Sequence, residues 1–150
     1  MVAELGAGRT TLGTLIYLDT SATVKLIAAE EESTALIDWL NERPDEHLAT
    51  NAIGHIELIR AAARIGPSAV ALARHVASTI DTLVLTDDIA SVATTTPPAE
   101  LRTLDAIHLA TAHVHRKSLT AFCAYDRRLL AAAESQGLPT VSPRGQADAS

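Results

Sequence analysis

The sequence predicts an α/β domain, a parallel sheet flanked by helices. Short apolar runs of strand length alternate with longer stretches of helical periodicity, the order that crossover connections between parallel strands require. Turn and capping residues follow the apolar runs closely, as a strand leading into a helix demands. Alanine supplies 28 of the 150 residues and aromatics only 3%, which favours helices packed closely rather than a core built on large rings.

Leu15 to Leu18 is short, apolar and ends at Asp19, as a buried parallel strand would. Thr20 and Ser21 then cap a helix to about Ala29. Glu30-Glu31-Glu32 interrupts it, and Ala35, Leu36, Trp39 and Leu40 give the next helix its apolar face before Pro44 ends it. His47 to Thr50 is a second strand. From Asn51 the chain turns helical, with Ile53, Ile56, Ile59 and Ala63 on or near one face. Gly66-Pro67 closes that helix and opens another running to about Ile80. Thr82 to Leu85 is a third strand, and Thr86-Asp87-Asp88 caps a helix that stops before Pro97-Pro98. Thr103 caps a helix to about His115. Leu119 to Ala124 is a fourth strand, Asp126 opens a helix ending at Gly137, and Pro139 to Val141 is a short edge strand.

The lone Cys123 excludes an internal disulfide and fits a reducing cytosol. No segment reaches the roughly 18 apolar residues of a membrane span. Residues 1–14 lack the basic start and apolar centre of a signal peptide and read as a flexible leader. Residues 15–143 read as one domain and 144–150 as a disordered tail. The net charge of −6 argues against a general polyanion binder. The imbalance lies in the first third, so nucleic-acid affinity would come from local arginines and a bound cation.

Four carboxylates carry the chemistry: Asp19, Glu57, Asp105 and Asp126. Open parallel sheets place their sites beyond the carboxyl ends of the strands, where Asp19 and Asp126 fall, while Glu57 and Asp105 lie within helical stretches. Gathered acids repel unless a cation neutralises them; Mg²⁺ or Mn²⁺ is the natural occupant and phosphodiester cleavage the natural chemistry. Each acid alone also has a structural reading. Asp19 and Asp126 can cap helices, Glu57 can pair with Arg60 or Arg64, and Asp105 can answer a helix dipole. His108, one turn beyond Asp105, can touch a phosphate or pack in the core. Glu30 to Glu32 read as solvated surface, and Cys123 as core.

The joint pattern resembles a known family. Ile16-Tyr17-Leu18-Asp19-Thr20-Ser21-Ala22 resembles the opening motif of PIN-domain nucleases. Ile56-Glu57-Leu58-Ile59-Arg60-Ala61 is similar to their second acidic motif, and Leu104 to Ala112, around Asp105, to their third. Ala124-Tyr125-Asp126-Arg127-Arg128-Leu129 is similar to the fourth. The single-domain layout resembles the VapC toxins of bacterial toxin–antitoxin pairs. The resemblance implies an α/β/α sandwich with a sheet of four to five strands in the order 3-2-1-4-5. It implies a Mg²⁺- or Mn²⁺-dependent endoribonuclease with Asp19, Glu57, Asp105 and Asp126 as catalytic and metal-binding acids. Thr20, Ser21, Arg102 and His108 are the expected substrate contacts. A VapB-like antitoxin is implied as partner, docking against the helices of residues 20–42, with a homodimer or a hetero-oligomer as the assembly. Two other classes compete: a non-catalytic module of the same fold that binds RNA or protein, and a receiver-type signalling domain. The receiver would need a lysine at a strand end, and neither Lys25 nor Lys117 stands at one.

Overall fold

The computed structural model describes residues 14–145. Five parallel strands form a single sheet: β1 (Leu15–Leu18), β2 (His47–Asn51), β3 (Asp81–Leu83), β4 (Leu119–Cys123) and β5 (Thr140–Val141). Their order is β3-β2-β1-β4-β5, which matches the expected 3-2-1-4-5. The helices are α1 (Thr20–Val24), α2 (Ser33–Asn41), α3 (Ala52–Ala63), α4 (Pro67–Ala77), α5 (Asp87–Thr95), α6 (Thr103–Val114) and α7 (Arg127–Ser135).

The side-chain alternation of β1 divides the core between the two faces of the sheet. Tyr17 joins Leu109, Phe122, Leu129 and Leu138 beneath α6 and α7. Ile16 and Leu18 join Leu36, Ile80 and Cys123 on the opposite side. A third cluster, Ile27, Leu58, Ala62 and Ala73, holds α3 to α4. Cys123 is fully buried, as expected of a core residue, and burial pushes its thiol up to about 12.

Several local expectations are corrected. Asp19, not Thr20 or Ser21, occupies the N-cap of α1, and that helix stops at Val24. α3 buries Gly54, Leu58 and Ala62, whereas Ile56 is 54% exposed. The isoleucine spacing suggested the wrong face because Gly54, the residue that lets this helix approach its neighbours, adds nothing to an apolar pattern. Arg102, not Thr103, stands at the N-cap of α6 and supplies no side-chain cap. Glu32 is not simply solvated: it pairs with Lys25 at 2.7 Å and with Arg144 at 3.0 Å. The expected leader, residues 1–14, lies outside the described residues apart from Thr14. The expected tail, 144–150, lies outside them apart from Arg144 and Gly145. Arg144 also sits over the Tyr125 ring, whose hydroxyl donates to the Pro143 carbonyl at 2.7 Å.

Candidate active site

The acids reach one edge of the sheet because every strand runs the same way. β1 ends at Leu18, which places Asp19 at its carboxyl end. β2 ends at Asn51, the N-cap of α3, so Glu57 sits in the second turn of that helix. Asp105 lies in the first turn of α6, and Asp126 caps α7 just beyond β4. Buried Asn51 ties two of these elements together, accepting the Gly54 N–H at 2.8 Å and donating to Thr111 on α6 at 3.1 Å.

The electrostatic coupling of the acids runs through Asp105. Asp19 is 3% exposed. Burial raises its carboxyl to about 6, and the charge of Asp105 adds to the rise against the Ser21 bond and His108. Asp105 is raised by burial and then by the charges of Asp126 and Glu57. Glu57 goes the other way. Burial pushes it up, but hydrogen bonds from His108 and Thr20 outweigh that and hold it below the usual range.

Three of the acids share a bonding pattern. Asp19 accepts from Ser21 Oγ at 2.7 Å and from the Ala22 N–H at 3.0 Å, both at Oδ1. Glu57 accepts from Thr20 Oγ1 and, at 2.9 Å, from His108 Nε2, both at Oε1. Asp126 accepts the Arg128 and Leu129 N–H groups at 2.9 and 3.0 Å, both at Oδ1. In each, one oxygen is fixed by protein donors and the other has no protein partner among the described residues. The capping readings of Asp19 and Asp126 therefore hold, and they leave half of each carboxylate free. The pairing of Glu57 with Arg60 or Arg64 does not form.

Among the described residues, no three His, Cys, Asp or Glu side chains make a ready-formed metal-binding group. The donor chemistry still fits a hard divalent cation: the set is all oxygen, Asp19, Glu57 and Asp126 are anchored, and burial together with neighbouring carboxylate charge raises Asp19 and Asp105. Asp105, Asp126, Arg102, Arg127 and Arg128 line an open cleft of about 310 Å³, whose lining does not include Asp19 or Glu57.

The expected substrate contacts divide. Arg102 faces the cleft. Thr20 and Ser21 spend their hydroxyls on Glu57 and Asp19, and Ser21 Oγ also accepts the Tyr125 N–H at 2.9 Å. His108 is 1% exposed and turned inward, with Tyr17 on Nδ1 and Glu57 on Nε2, rather than toward a substrate. Tyr17 was not singled out by the sequence. Its one available signal was a phenol inside an otherwise apolar strand, which needs a buried partner.

A family model described as PIN domain matches residues 16–138. Ribonuclease VapC47 of Mycobacterium tuberculosis is 44% identical over 132 residues, covering 86% of this chain and 97% of that protein. Ribonuclease VapC35 of the same species is 44% identical over 135 residues, covering 89% and 99%. Among solved structures, the crystal structure of M. tuberculosis VapC20, a sarcin–ricin loop cleaving toxin, superposes with a TM-score of 0.67. That structure is 18% identical and covers 85% of this chain and 99% of its own, a likeness of fold.

Proposed function

The chain belongs to the PIN-domain family and is a VapC-type endoribonuclease, and we propose that Asp19, Glu57, Asp105 and Asp126 form its catalytic, metal-binding centre. The observation that carries the proposal is electrostatic. Asp105 raises the buried Asp19 and is itself raised by Asp126 and Glu57, so acids from four separate stretches of chain meet electrostatically at Asp105, and Asp19, Glu57 and Asp126 each keep a free oxygen. VapC ribonucleases as a family depend on a divalent metal; Mg²⁺ or Mn²⁺ suits this oxygen-only donor set.

Asp19, Glu57 and Asp105 would take the direct contacts and Asp126 a second or water-mediated one. When bound, the cation supplies charge neutralisation and Lewis acidity at the phosphodiester. Ser21, Ala22, Thr20 and His108 hold the carboxylates in place. Arg102, Arg127 and Arg128 line the cleft where a phosphate approaches and offset its charge. Water attacks phosphorus, the bond to the leaving oxygen breaks, and no covalent enzyme intermediate is needed. A receiver-type reading lacks its lysine, and a non-catalytic module would not require a buried Asp19 raised by Asp105.

VapC toxins pair with VapB antitoxins, and for this chain a VapB-like partner fits against α1 and α2, in the acidic first third of the sequence. A homodimer, or a hetero-oligomer with the antitoxin, is the proposed assembly. No helix among the described residues is long and apolar enough to cross a membrane, and the proposed location is the cytoplasm. The test is cleavage of RNA by purified protein with Mg²⁺ or Mn²⁺, set against Asp105→Asn and against EDTA. Mapping RNA ends after induction, with Asp19→Asn as control, identifies the target. Equal cleavage by Asp105→Asn would remove the acids from the mechanism.

A further inference from the structure

Glu57 differs from the other acids in how it is held. Asp19 and Asp126 are fixed by backbone N–H groups near them in sequence, whereas Glu57, in mid-helix, has no such local donor. Its fixed oxygen depends on two side chains from other elements, Thr20 at the start of α1 and His108 on α6.

His108 is itself held on three sides. Tyr17 Oη lies 2.6 Å from Nδ1. The Glu57 carboxylate can only accept, so Nε2 carries the ring N–H toward it and Nδ1 of the neutral ring accepts from the Tyr17 hydroxyl. The Tyr17 ring is stacked on Phe122 at 5.5 Å and meets the imidazole edge-on at 5.7 Å. On the far side α3 comes so close that a Cβ at Gly54 would stand 3.2 Å from His108 Cε1. The imidazole therefore has little room to turn, and its N–H points at one carboxylate oxygen.

We propose that Tyr17 and His108 form a buried positioning pair whose task is to fix Glu57 Oε1, leaving Oε2 as the oxygen offered to the cation. Neither residue touches substrate. The pair links β1 and α6, which carry Asp19 and Asp105, to the one acid on α3. The proposal rests on the metal-nuclease reading above. Partners that orient a ligating carboxylate are typically worth about 10- to 100-fold in metal affinity.

The test compares His108→Leu, His108→Gln and Tyr17→Phe with wild type. Mn²⁺ affinity is read by calorimetry, and kcat and KM by cleavage of a fixed RNA. His108→Leu removes the donor and should weaken Mn²⁺ binding by about tenfold or more, lowering kcat with KM for RNA little changed. His108→Gln keeps an amide N–H and should recover most of that loss. Tyr17→Phe removes only the hydroxyl and should fall between wild type and His108→Leu. Should His108→Leu fail to fold by circular dichroism, Tyr17→Phe carries the test alone. If wild type binds Mn²⁺ and cleaves, and folded Tyr17→Phe matches it in both, the positioning role is wrong and the nuclease reading stands. The role is equally wrong if His108→Gln is as impaired as a folded His108→Leu. If wild type neither binds Mn²⁺ nor cleaves, the reading beneath the proposal fails and the proposal with it.

Discussion

Ser21 Oγ donates to Asp19 at 2.7 Å and, from the other side, accepts the Tyr125 N–H at 2.9 Å. One hydroxyl thus joins the first acid to the loop that carries the last. Ser21→Ala should strand the Tyr125 N–H and remove a donor from Asp19. A loss of about 1–3 kcal/mol in urea unfolding is expected, the usual cost of an unsatisfied buried group. A variant as stable as wild type would show that water replaces the hydroxyl.

Asp19→Asn should abolish cleavage while making the metal-free protein more stable. The sign follows from the raised carboxyl, which is about 6 in the fold against an ordinary 3.8. Above both values, holding Asp19 ionised costs about 3 kcal/mol at 1.36 kcal/mol per unit. That cost shrinks as the pH falls through 6 and is gone below 4. Wild-type stability in EDTA should therefore gain a contribution from this group on acidification from about pH 7.5 to about pH 5, and the Asn variant should lack it. Asn is as good an N-cap as Asp, so α1 is kept. A large loss of stability would make Asp19 structural instead.

Metal should act on stability as well as on turnover. EDTA should stop cleavage and Mn²⁺ should restore it. Mn²⁺ should also raise the melting temperature of wild type, because binding to the folded state alone stabilises it. The rise should be smaller in Asp19→Asn. Full activity in EDTA would end the metal mechanism.

Gly54→Ala should destabilise although alanine is the better helix former by about 1 kcal/mol. The added methyl collides with the buried Thr50 hydroxyl and crowds His108. Overpacking of this kind costs about 1–3 kcal/mol. Adding Thr50→Ala should relieve part of it, a coupling that a double-mutant cycle in urea measures directly.

Arg102→Gln, Arg127→Gln and Arg128→Gln should each raise KM for RNA more than they lower kcat. Each lost phosphate contact should also reduce the salt slope of binding, by about 0.7 for a single strand. Unchanged KM and slope in all three would place the RNA path elsewhere.

The parallel α/β layout followed from the alternation of strand-length and helical stretches, and the strand order 3-2-1-4-5 from the family resemblance; Asp19 and Asp126 could be placed beyond strands because strand ends are local features of the chain. What escaped the sequence depends on which groups meet across elements. His108 read as either a phosphate contact or a packed histidine, and its actual task was hidden because its two partners, Tyr17 and Glu57, lie far off in the chain. Thr20 and Ser21 read as caps for the same reason: capping is the local use of a hydroxyl, and here both turn to the acids. The buried face of α3 was misjudged because its key residue, Gly54, matters by what it lacks.

Central strand β1 is completed by β4, with Leu18 beside Cys123, and the last acid follows three residues later. A nascent chain can therefore pair β1 with β2 but leaves its other edge open until β4 has emerged from the ribosome. Until then Asp126, the last of the proposed metal-binding acids, cannot join the other three. Folding must also bridge the longest separation in the sheet before its middle closes, the kind of non-local pairing that slows folding in small domains.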